Sequence, residues 1–191
     1  MNIPNNITLV TEESINNLKY HNFDTKGTEY SKLYNTQMLE ISKKLLSFAK
    51  DKANSTEVIS LIRNDNFKYT LFTNYSYNSI ILPDNVINRL KLTKNQFTLI
   101  HNHPKNSGLS LRDFILFLSY RNIQSIMAIA NNGRRVFYMV KSKKSNYDAH
   151  TKFLDKIILD IQSGTTSFEM QAVRYEMNMN ELNIMHNVYF N

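Results

Sequence analysis

Residues 97–120 read FTLIHNHPKNSGLSLRDFILFLSY. Residues 97–102 form a β-prone apolar run that leads straight into His103-Pro104. Proline has no N–H to give a central ladder, so a loop must begin there. That loop ends at Ser110, a good N-cap, which opens an apolar helix through Tyr120. Successive strand residues alternate faces, so His101 and His103 point the same way, about 6 to 7 Å apart along the chain. In the helix, Asp113 stands three residues after Ser110, in the first turn, where its carboxylate folds back toward the strand end. Two imidazoles and one carboxylate make a set that suits Zn2+ and leaves a fourth position for water. In such a site the water pKa falls toward about 7, which gives a nucleophile at neutral pH.

Outward from this segment the chain reads as α/β. Residues 29–50 place Leu33, Tyr34, Met38, Ile41, Leu45, Leu46 and Phe48 at three- and four-residue steps, a helix stripe that starts near Thr28. EVISLI (57–62) and KYTLFT (68–73) flank Asn64-Asp65-Asn66 and predict a hairpin. Residues 79–82 predict a third strand ending at Pro83, and 84–92 a short helix capped by Asp84. Residues 125–130 and 135–140 predict strands joined by the turn Asn131-Asn132-Gly133. Residues 147–162 and 167–188 read as helices separated by Ser163-Gly164. The expected division is an irregular leader over 1–27, a helix over 28–54, a core over 55–141 and C-terminal helices over 142–191. The expectation is one mixed sheet flanked by helices, with additional helices at both ends.

Composition removes several alternatives. The 191 residues include no cysteine, which excludes disulfides, thiolate zinc knuckles, iron–sulfur clusters, cysteine nucleophiles and deaminases that need a P-C-x-x-C ligand pair. Any metal here must be held by histidine and carboxylate. The first residues, MNIPNNITLVTEES, lack a basic segment followed by an apolar core, and no apolar run approaches the roughly 18 residues of a membrane span. A cytoplasmic protein with no membrane partner is the expectation. The net charge of +7 leaves nucleic acid open as a partner. The most concentrated basic residues, Arg134, Arg135, Lys141, Lys143 and Lys144, bracket the apolar run 136–140 and read first as the solvated ends of a strand.

His101-x-His103-Pro104 followed by Ser110-x-x-Asp113, with a glutamate on an upstream strand, resembles the JAMM (also called MPN+ or JAB) metalloprotease signature. That family includes ubiquitin isopeptidases, phage head and tail proteins, and RadC-like proteins whose motif also begins HNHP. The resemblance covers roughly residues 55–141. It implies a JAB/MPN-type domain in which His101, His103 and Asp113 ligate zinc and Ser110 hydrogen-bonds the oxyanion or the water on the metal. It also implies a glutamate that takes the proton from that water, and Glu57, opening the first predicted strand, fits best. Glu40 competes but falls within the helical stripe. Asn102 and Lys105 border the motif as candidate substrate contacts. The loop of six residues from Pro104 to Leu109 is shorter than is usual in the family, which leaves the phase of Ser110 and Asp113 unchanged.

The resemblance implies a zinc metallopeptidase or isopeptidase acting on a protein or peptide, with ubiquitin-like and other conjugated proteins in the class. The chain lacks the long insertion that grips ubiquitin in some isopeptidases. Two other readings stand beside it. One is a RadC-like or phage-associated protein working near DNA or in particle assembly. The other is an interaction module with a structural metal. Gly108-Leu109-Ser110-Leu111-Arg112 lacks the second glycine of a nucleophile elbow, which argues against a serine hydrolase. His21, His150 and His186 read as core histidines, and Met170, Met177, Met179 and Met185 as packing filler.

Overall fold

The computed structural model describes residues 4–19, 32–77, 81–164, 179 and 182–190. Its elements in chain order are helices α1 (Glu12–Asn17) and α2 (Lys32–Lys52), strands β1 (Ile59–Arg63) and β2 (Tyr69–Phe72), helix α3 (Asp84–Leu92), strand β3 (Phe97–His103), helix α4 (Leu111–Ser119), strands β4 (Ile123–Ala130) and β5 (Arg135–Lys141), helix α5 (Tyr147–Gln162) and strand β6 (Ile184–Phe190). The strands form one six-stranded mixed sheet in the order β2-β1-β3-β4-β5-β6. Only β3 and β4 run parallel, with α4 as the crossover between them. The other neighbours are antiparallel.

The core divides by strand face. Phe97 and Leu99 of β3 pack with Phe114, Phe117 and Leu118 of α4 and Leu154 and Ile157 of α5. Ile100 packs on the other face with Met38, Ile41, Leu45 and Leu46 of α2. All seven residues of β3 are buried, as a central strand with helices on both faces requires.

Several expectations are corrected. The leader is not wholly irregular: Thr11 and Ser14 form a reciprocal capping pair that starts α1. Helix α1 lies against the β4–β5 turn, where Gly133 has φ +71 and a Cβ would stand 1.8 Å from the Ser14 carbonyl oxygen. Thr28 and positions 79 and 80 of the third predicted strand lie outside the described residues, and Ile81 and Leu82 belong to no strand. Asp84 is the first helical residue of α3 rather than its cap. Pro83 holds the N-cap position, and no side chain caps that end. The tail does not continue as helix to Val188, because residues 184–190 add β6 antiparallel to β5 and bury Ile184 in the core.

The basic residues clustered in sequence are not one patch. Arg134 and Arg135 stand at the start of β5, with Arg134 3.9 Å from Glu13, whereas Lys141 closes β5 about 20 Å away. Lys141 is itself buried, with Nζ donating to the carbonyls of Phe117 and Tyr120 at 2.7 Å each. Helix α4 has no basic residue in its last turn, so this lysine serves the orphan carbonyls there. Burial pushes the Lys141 amine down to about 7. A neutral amine still supplies two N–H groups for the two carbonyls.

Between about pH 7 and 10.5 the unfolded chain therefore holds a proton that the folded chain has released. Stability rises with pH across that window and falls as pH drops through 7, at up to about 1.4 kcal/mol per pH unit. Urea unfolding of wild type and Lys141→Met over this range tests the sign. The wild type gains on the variant as pH rises, and a constant difference would show that the lysine stays charged when folded.

Candidate metal centre

Three backbone constraints assemble the centre. The alternation of β3 sends His101 and His103 to the α4 face, where their partners across β4 are Ala128 and Ala130, small enough to leave room for two rings. On the other side β1 pairs with β3, with Ile59 opposite His101. Continuing that register by two residues sets Glu57 opposite His103 and on the same face. The third constraint is the start of α4. Ser110 caps the helix by accepting from the Asp113 N–H at 3.2 Å, while the Ser110 amide and hydroxyl donate to Asp113 Oδ2 at 2.6 and 2.7 Å. This box turns the carboxylate back onto the strand end.

The Nε2 atoms of His101 and His103 are 2.8 Å apart. Asp113 Oδ1 lies 3.3 Å from His101 Nε2, and Oδ2 lies 3.5 Å from His103 Nε2. Glu57 Oε1 stands further off, 3.9 Å from His101 and 4.0 Å from His103. His103 Nδ1 donates to the Ser107 carbonyl at 3.0 Å, which turns Nε2 toward the cluster. His101 Nδ1 is buried without a hydrogen-bond partner among the described residues.

The residues present fit a cation. The buried Glu57, His101 and His103 offer ligand atoms within 4.8 Å of one another, and this group could hold a metal ion. In a tetrahedral zinc site, ligand atoms at about 2.0–2.2 Å from the metal lie roughly 3.3 Å from each other. The Asp113 distances, each to a different oxygen, match that edge, those of Glu57 exceed it, and the 2.8 Å between the imidazole nitrogens is shorter than it. Burial raises the Glu57 pKa, although both histidines pull it down. Burial also acts to raise Asp113, but the charges and hydrogen bonds of His101 and His103 outweigh it and hold the carboxyl well below its ordinary range. For His101, burial acts to lower the pKa and the Asp113 carboxylate overcomes it, so the net shift is upward.

Asn102 does not face the cleft. The same alternation that unites the two histidines points the residue between them to the opposite side, and Asn102 is fully buried. Its amide holds both flanks of Glu57. Oδ1 accepts from the Val58 N–H at 2.7 Å, and Nδ2 donates to the Thr56 carbonyl at 3.0 Å and to Asn131 Oδ1 at 2.6 Å. Asn131 in turn donates to the carbonyls of Ser55 and Thr8. Lys105 is exposed and lines the cleft, as a substrate contact requires. Glu40 is exposed on α2 and not part of the cluster. His150 is buried, with Nε2 3.0 Å from the Leu182 carbonyl, His186 is exposed on β6 against expectation, and His21 lies outside the described residues.

The cluster opens on a cleft of about 430 Å³ whose lining includes Glu57, His103, Ser110 and Asp113. A more voluminous cavity of about 720 Å³, lined by Arg121, Lys141 and Lys143 among others, lies toward the other ends of the strands and takes in none of the cluster. Comparison with models of known protein families, with curated proteins and with solved structures finds no match.

Asn102→Ala leaves the Val58 N–H, the Thr56 carbonyl and Asn131 without their buried partner. A loss of at least about 2 kcal/mol in unfolding free energy is expected. Denaturant titration of the variant measures it, and a loss under about 0.5 kcal/mol, as for an ordinary surface change, would contradict the clamp.

Proposed function

We propose that this chain is a zinc-dependent hydrolase of the JAMM type that cleaves a peptide or isopeptide bond with water. The observation that supports it is the convergence of His101 and His103, with Asp113 at ligand spacing from both and a second buried carboxylate, Glu57, standing just outside that spacing. His101, His103 and Asp113 would hold the metal. Zinc, when bound, supplies Lewis acidity, polarising a carbonyl and making water acidic near neutral pH.

The remaining chemistry belongs to side chains of the chain itself. Glu57 Oε1 takes the proton of the attacking water and passes it to the leaving amine, the role of a base set within one water of the reacting centre. The register that puts Glu57 opposite His103 fixes that distance, and the Asn102 clamp keeps the backbone on both sides of Glu57 from shifting. Ser110 holds Asp113 through its amide N–H, so its hydroxyl is able to turn its hydrogen toward an oxyanion in the cleft without releasing the ligand. Pro104 and the apolar wall of Ile59, Leu82 and Leu116 limit access of bulk water.

Purified protein is expected to carry about one zinc per chain by elemental analysis, and His103→Ala and Asp113→Ala to lose it. Glu57→Gln should keep the metal while peptide hydrolysis falls about 100-fold or more. If Glu57→Gln lost the metal and Asp113→Asn retained it, the two carboxylates would exchange roles. Metal-free protein indifferent to His103→Ala would remove the reading.

A further inference from the structure

The cleft is chemically two-sided, and this inference about its substrate rests on the hydrolytic reading above. Leu116 and Tyr120 lie three and seven residues beyond Asp113, on one stripe of α4 that ends at its C-cap, and all three line the cleft. Opposite them stand Ile59 of β1, Tyr77, Ile81, Leu82 and Ile87 of α3. From Asp113 to Tyr120 the helix rises about 10 Å, the span of three residues of extended peptide. This arm of the cleft is apolar, and Ile81 on its wall is 77% exposed.

The charge lies nearer the ligands, at the start of α4 and just past β3. Lys105, on the loop after β3, and Arg112, beside Asp113 on α4, both line the cleft and are exposed. Neither has an ion-pair or hydrogen-bond partner among the described residues. The acidic residues of the lining, Glu57 and Asp113, are engaged with the two histidines. Two cations therefore face the cleft with no anion to answer them among the described residues.

We infer that the cleft selects a peptide segment with a bulky aliphatic or aromatic side chain in the arm that runs along α4 toward Tyr120 and a carboxylate by Lys105 and Arg112, close to the ligands. The apolar arm supplies affinity by area removed from water, and the cations set direction and exclude basic segments. Arg112 provides a planar fork for a carboxylate, and Lys105 a second, mobile charge.

Binding of labelled peptides to the full chain, followed by fluorescence anisotropy with and without added zinc, tests this without depending on turnover. A peptide bearing leucine and glutamate is expected to bind about tenfold or more tightly than versions with serine for leucine or lysine for glutamate. Comparing the free C-terminal acid with its amide tells a chain terminus from an acidic side chain as the source of the carboxylate. Arg112→Glu, at an exposed position, should turn the charge preference toward the lysine peptide, and Leu116→Ser should abolish the preference for leucine. Equal affinity for all peptides, no binding, or an unchanged charge preference in Arg112→Glu would overturn the inference. A chain that takes up zinc and hydrolyses peptides without these preferences would fail this inference alone. Preferences that persist in a chain unable to take up zinc would fail the hydrolytic reading alone.

Discussion

Alternation along a strand buried on both faces is the constraint on which the rest of this structure depends. Because β3 has α4 on one side and α2 on the other, each of its residues is committed to one of two interiors. Even positions go to α2: Thr98 joins Tyr34 and Ser125 in a buried hydroxyl cluster, and Ile100 enters the apolar core. Odd positions go to α4. The motif HNH at the end of the strand is thereby split, with two imidazoles on the chemical side and one amide on the structural side. A slip of one residue in register would invert all three, so the packing of Phe97 and Leu99 is also what aims His101 and His103.

Placing two imidazoles and two carboxylates in a buried space is costly unless the charges answer one another. Asp113 lies at the N-terminus of α4, where the helix dipole and the Ser110 amide favour its negative form. It serves both histidines at once. Glu57 has no such support, being held in place only through its backbone neighbours, and burial dominates its environment. The two acids are thus pushed in opposite directions, Asp113 down by the charges and hydrogen bonds of the histidines and Glu57 up by burial. One sits on a helix end that favours an anion, and the other on a strand approach that, among the described residues, offers its carboxylate no backbone donor.

The order and type of most elements could be read from residue patterns because local rules dominated there. The NNG turn, the hairpin about Asn64-Asp65-Asn66 and the stripe of α2 agree with their packing. Reading failed where tertiary contacts decided. Residues 184–190 carry a methionine-bearing pattern that suits a helix in isolation, yet an open edge on β5 makes them a strand. The candidate site was legible as residue types and spacing. Its fine structure was partly implicit as well: the period of two that unites His101 and His103 already excludes Asn102 from the cleft. Asn131 and Ser107 carried no signal of their own, since an asparagine in a turn and a serine in a loop look alike whether or not they hold a partner.

The short loop after His103 raises the question of what keeps the metal-facing end of the sheet in one arrangement. The N-terminal segment supplies the ties. The Thr8 N–H donates to the Pro104 carbonyl at 2.8 Å, and Thr8 Oγ1 accepts from Asn106 at 2.6 Å. Asn106 Oδ1 accepts from the Asn132 N–H, which joins the loop to the β4–β5 turn. Val10 donates to Ser55, two residues before Glu57. One extended stretch therefore ties the loop that follows His103, the turn that follows β4 and the approach to Glu57. These are irregular segments whose backbone groups would otherwise go unpaired in a partly buried place. Each tie from this stretch uses a main-chain group of Thr8 or Val10, or the Thr8 hydroxyl, while the Val10 side chain packs into the core on the α2 face. On this view the segment before α1 belongs to the centre as much as the motif does, since without it three of the pieces that surround His103 lose their common brace.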